Sequence, residues 1–155
     1  MRNPHFIAEH RGGLLKKEHH RLLMLWAIAC AEHVLKPESD ERLHHSIAVG
    51  KTWAEGRVPT GYAMKASVTA HAVARELLKD DEIAVARAVG QAVATAHMAD
   101  HSLGGALYAL KAVARSGGDV DAERVWQIAQ LPEEVEELVL SGLREKGKHF
   151  KIRAY

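Results

Sequence analysis

The chain has 155 residues, the size of one compact domain, and such a chain buries roughly 68–70% of the surface its unfolded form exposes. Hydrophobic residues make up 47% but aromatics only 5%, so the interior must be built from alanine and aliphatic side chains, which favours closely packed helices over strands. Lys plus Arg is 21 against 20 Asp plus Glu, a formal charge of +1, which argues against nucleic acid or an anionic membrane as the main partner.

In chain order, residues 1–13 hold Pro4, Gly12 and Gly13 and read as an irregular N-terminal arm. From 14 to 35, apolar positions 15, 22, 23, 26, 29, 30 and 34 recur at helical spacing and stop at Lys36 and Pro37, which predicts a first helix. In the second, Ser39 or Asp40 can cap the start, Leu43, Ile47, Val49 and Trp53 supply the inward side, and Gly56 can close the end. Pro59 and Thr60 open a third, "GYAMKASVTAHAVARELLK". Asp80 and Asp81 are first-turn acids for a stretch that reads as helical over more than thirty residues, either one rod or two helices with Ser102 able to cap the second. Within it, Gly104 and Gly105 mark a kink or the close approach of another backbone. Gly117 and Gly118 end it, "DVDAERVWQIAQL" gives a short fifth element, and Pro132 opens a last helix that fades at Gly147. No convincing strand pair occurs. The expected fold is all-α, a single compact bundle of about five to seven helices spanning residues 1–155, with a basic tail at 148–155.

Cys30 is the single cysteine, so neither an intramolecular disulfide nor a thiolate zinc cluster can be built, and a reducing compartment is expected. The start "MRNPHFIAEHRGG" lacks the apolar core of a signal peptide, and the uncharged stretches 88–99 and 101–110 are too short to span a bilayer. The expected location is the cytoplasm. Cys30 itself lies on an apolar stripe and reads as an inert buried thiol.

Eleven histidines is many for this length, and their positions carry the argument. His19, Leu23, Trp26, Cys30 and His33 form one stripe on the first helix, and Met64, Val68, His71, Ala74 and Leu78 form another on the third. A further stripe runs Ala86, Val89, Val93, His97, Asp100 or His101, Gly104 and Tyr108. If these converge, His33, His71, His97, Asp100 and His101 share an interior where imidazoles and a carboxylate could hold a divalent metal such as zinc, iron or manganese. The alternative is that buried histidines donate to carbonyls or carboxylates on neighbouring helices and fix their register, with no cofactor. We favour the second, because "HMADH" lacks the glutamate of a zinc-protease pattern and no E-x-x-H occurs at Glu76, Glu82 or Glu123. Ser67, Ser102 and Ser141 lack a nucleophile-elbow setting, and "VGKT" at 49–52 lacks the upstream glycine of a phosphate loop.

The near-neutral total hides unequal blocks. Residues 1–21 carry five bases against Glu9 and Glu18, residues 144–155 carry five against Glu145, and residues 119–137 carry seven acids against Arg124. Those seven, Asp119, Asp121, Glu123, Glu133, Glu134, Glu136 and Glu137, are either helix starts favoured by the dipole or a docking face that steers a basic protein partner.

The segments "PHFIAEHRGGLLKKEHHRLLMLWAIACAEHVL", "AHAVARE" and above all "AVATAHMADHSLGGALYALKAV" resemble the Imm-five-like putative immunity protein family of bacterial polymorphic-toxin systems. The resemblance implies a cytoplasmic, non-enzymatic protein that binds and neutralises a cognate toxin, and it carries over no catalytic residue. The competing reading is a metal- or small-ligand-binding helical bundle, possibly a metal-dependent enzyme, using the interior histidines.

Overall fold

The structure, a computed structural model, describes residues 2–150. Seven α-helices make up most of it: α1 (Lys17–Val34), α2 (Glu41–Ala54), α3 (Thr60–Glu76), α4 (Asp80–Ala94), α5 (His101–Arg115), α6 (Val120–Ala129) and α7 (Glu133–Lys146). No strand occurs among the described residues, and the expected all-α bundle is what forms. The core lies between α1, α4 and α5; α2 and α3 close one side of it, and α6 and α7 pack on the other. Of the predicted basic tail, residues 147–150 form a 3₁₀ turn and residues 151–155 lie outside the described residues.

Alanine sets the geometry of the core. Ala86, Ala88, Ala92, Ala106 and Ala109 are fully buried, so α4 and α5 meet almost backbone to backbone. Gly105 completes that contact: a Cβ there would lie 3.2 Å from the Ala92 Cα. Of the two roles the sequence leaves open for the glycine pair, close approach is therefore the one Gly105 performs. The long helical stretch is two helices, broken at 95–100, but Ser102 does not cap the second. Its hydroxyl donates to the Ala99 carbonyl at 2.7 Å, and Asp100 occupies the cap position with no side-chain bond to the helix backbone.

Caps and stops follow the sequence elsewhere. Asp40 accepts from the Arg42 backbone N–H at 2.9 Å, and Gly56 takes the left-handed conformation, φ 75°, that ends α2. The first helix starts later than its apolar spacing suggests. Leu15 belongs to the arm, where its N–H donates to the Ile7 carbonyl at 2.9 Å and its carbonyl accepts from Glu9 at 3.0 Å. These bonds fold the arm back on itself and seat Phe6, Ala8 and Leu15 in the core.

The third helix is turned relative to its predicted stripe. Met64 and Val68 are 42% and 58% exposed, and the buried face is Ala63, Ala66, Ser67, Ala70, Val73 and Ala74; Leu78, 94% exposed, lies past the end of the helix. The smaller side chains win the inward position because they let α3 approach its neighbours closely, as where Ser46 Oγ donates to the Ala66 carbonyl at 2.9 Å. Two polar side chains then fasten α6. The Trp26 indole donates to the Gln127 carbonyl at 2.9 Å, and Gln127 Nε2 donates to the Ala106 carbonyl at 3.0 Å.

Candidate functional site

The histidine set predicted from the stripes divides into separate polar joints. His71, on α3, is half-buried against α4, and its Nδ1 accepts a hydrogen bond from Arg87 at 2.7 Å. A guanidinium can only donate, so this bond requires a neutral imidazole with its proton on Nε2. Burial, then the charge of Arg87, hold the His71 pKa down to about 4. The ring lies over Gly90, where an added Cβ would come within 2.7 Å of Cε1 and Nε2, so a side chain at 90 and the ring at this place exclude one another.

One turn along α4, Gln91 crosses Gly104 and its Oε1 accepts from His101 Nδ1 at 2.6 Å, joining α4 to α5. The His97 and His101 rings stand 5.8 Å apart between centroids, so the residues one turn apart do become neighbours. His97 lies in the turn between the helices, and Asp100, at the head of α5, pairs with Arg2 of the arm at 3.1 Å. Burial lowers the pKa of both histidines; for His97 the nearby Arg11 and Arg2 add to it, and for His101 the Asp100 carboxylate opposes it.

His33 is elsewhere and faces outward. Its Nδ1 donates to Glu123 at 2.6 Å while its ring stacks on Trp126 at 3.5 Å, so it ties the end of α1 to α6. The expectation that it points into a common interior with the other four is therefore corrected: the buried face of α1 ends at Ala31, and His33, in the last turn, meets Glu123 and Trp126 of α6 instead. Among the described residues no group of three or more His, Cys, Asp or Glu side chains is placed to hold a metal ion.

One buried histidine escapes the predicted stripe. His20, rather than His19, is the inward member of the pair on α1; it is 7% exposed, its Nε2–H donates to the Thr95 carbonyl at 2.5 Å, and it meets Trp53 edge-on at 5.0 Å. The spacing His20, Leu23, Met24, Ala27, Ile28, Ala31 marks this face as well as the chosen stripe does, but it weights alanine as a core residue. Burial lowers the His20 pKa.

Six of the seven acids in the acidic block are exposed, but the Glu123 side chain is only 11% exposed, packed beside His33. Asp119 caps α6 by accepting from the Ala122 N–H at 3.0 Å, Asp121 pairs with Arg124 at 2.6 Å, and Glu123 holds His33. Glu133, Glu134, Glu136 and Glu137 are all exposed at the start of α7 and form no ion pair among the described residues. The first three sit in the first turn, where the helix dipole stabilises them. No helix among the described residues is long and apolar enough to cross a membrane.

Comparison with known proteins gives one positive result. Nothing matches among curated proteins, and nothing matches among solved structures. The family model for Imm-5 like putative immunity proteins matches residues 13–134, which takes in α1 through α6 and the first two glutamates of α7. With more than half of its length matched, the chain belongs to the Imm-5 like putative immunity protein family.

Proposed function

We propose that the protein is a non-enzymatic immunity protein that binds a cognate bacterial toxin in the cytoplasm and blocks it. The observation that carries this reading is the family match over residues 13–134. A rigid, alanine-packed body suits blockade, because a surface that does not rearrange loses little conformational entropy on docking. For the docking face we infer the acidic start of α7, Glu133, Glu134, Glu136 and Glu137, with Asp119, Asp121 and Glu123 of α6 as the remaining acids of the same block. Four exposed carboxylates free of internal ion pairs among the described residues give a field that speeds encounter with a basic partner.

The test is co-expression with the product of the neighbouring gene, followed by measured association of the purified pair. Survival of cells that otherwise die, together with an association rate that falls steeply with salt, is the expected result. Reversal of Glu133, Glu134, Glu136 and Glu137 to lysine should slow association by an order of magnitude or more at low salt. An unchanged rate and salt slope would remove the acidic face from the interface. Undiminished killing in the presence of the protein would remove the neutralisation itself.

A further inference from the structure

A cleft of about 1060 Å³ opens where the folded arm, the first turns of α1, the α2–α3 connection and the α4–α5 turn come together. Its lining includes Arg11, Lys17, Arg21, His20, His97 and Trp53, and Glu9 is the single carboxylate among the lining residues. The size matches small-ligand pockets, which run to about 1,000 Å³.

Two of the cations are held in place without being neutralised. Arg11 donates through Nη1 to the His97 carbonyl at 3.2 Å, and Arg21 donates through Nε to the Ala54 carbonyl. A carbonyl fixes the guanidinium but leaves its charge and most of its five donors unspent. Neither arginine, nor Lys17, forms an ion pair among the described residues, whereas Arg42, Lys51 and Arg57 each face a carboxylate. Arg2, also in the lining, is answered by Asp100. Arg11, Lys17 and Arg21 against Glu9 therefore leave a net of two positive charges in a concave, partly apolar site, whose walls concentrate the field.

We propose that this cleft binds a small phosphate-bearing anion, with Arg11 and Arg21 as forked donors and Lys17 as a point charge. A phosphate group carries about −1.5 to −2 at neutral pH and offers the acceptor geometry that a guanidinium fork fits, so it matches both the charge left over and the donors left over. A lone carboxylate would answer only half of that charge. The site is separate from the acidic face of α7, and the proposal does not depend on any toxin.

The experiment uses the full chain and inorganic pyrophosphate as probe, followed by amide NMR shifts at fixed ionic strength. Saturable shifts confined to the arm, the first turn of α1 and residues 95–99 are expected. Arg11→Ala and Lys17→Glu should each weaken binding by about tenfold or more, the value of one charge-assisted hydrogen bond. Lys17→Glu adds an acid to the first turn of α1, where the dipole favours it, so this variant keeps its fold. Arg115→Ala, whose guanidinium rests on the Asp80 carbonyl outside the cleft lining, should leave binding unchanged. Shifts that never saturate, or that are indifferent to Lys17→Glu, would overturn the proposal. So would a hexaglutamate peptide that occupies the cleft in preference to pyrophosphate, which would assign it to an acidic protein segment instead.

Discussion

Acid should loosen this bundle through His71. The folded protein holds that imidazole neutral because its Nδ1 accepts from Arg87; protonation converts the acceptor into a second donor and sets two cations 2.7 Å apart. The folded pKa of about 4 lies below the ordinary 6.5, so between these values the unfolded chain binds more protons than the folded one and stability rises with pH. The contribution is complete above pH 6.5 and drains away as pH falls toward 4. Linkage gives about 2 kcal/mol lost by pH 5 for a shift of this size, and solvent screening of a half-buried ring reduces that to about 1–1.5 kcal/mol. Urea unfolding of the protein and of His71→Gln at pH 7.5 and pH 5 isolates the term, because every other residue is common to both. The natural protein should lose about 1 kcal/mol more than the variant across that interval. Equal losses, or a His71 ring that titrates near 6.5 by NMR, would refute the assignment of a neutral acceptor.

Other consequences follow from single contacts. Gly90→Ala should destabilise by about 1 kcal/mol, since displacing the His71 ring outweighs the helix propensity gained. In a His71→Ala background the same change should stabilise by about 0.5–1 kcal/mol, and thermal unfolding that shows no such reversal would remove the steric account. Thr95 is fully buried with its hydroxyl unpaired among the described residues, so Thr95→Val should raise stability by about 1 kcal/mol; a loss would show that the hydroxyl is satisfied in solution. Cys30 is fully buried and burial pushes its thiol pKa well up, so a disulfide reagent should label the native protein only at its opening rate. Labelling as fast as in the denatured chain would contradict that burial.

Much of the architecture is legible from local chemistry. Asp40, Gly56, Pro59 and Pro132 bound their helices as cap and breaker rules require, because those rules depend on a few adjacent backbone groups. Gly147 follows the last residue of α7 but keeps a right-handed φ of −58° and leads into a 3₁₀ turn. What escapes is the choice of inward face where alanine is abundant. Ranking by hydrophobicity selects Met64 and Val68 on α3, yet close packing rewards the smallest side chains, and the helix turns to present Ala66 and Ala70. The same weighting favours His19 over His20. His97 and His101 are recognisable as neighbours from their spacing, but the partners of His71 and His33 depend on how α4 and α6 cross α3 and α1, and those crossings are decided by tertiary packing. Arg11 and Arg21 give no local sign of sharing a cleft, since one lies in the arm and the other on α1.

The alanine-lined meeting of α4 and α5 makes the middle of this molecule intolerant in one direction only. Residues such as Ala88, Ala92 and Ala109 have almost no side chain to lose, so truncation there is a small matter, while any added methylene must wedge two backbones apart. Sequence drift at these sites is consequently bounded from above by volume, and the spacing between the two rods acts as a gauge against which every substitution is measured.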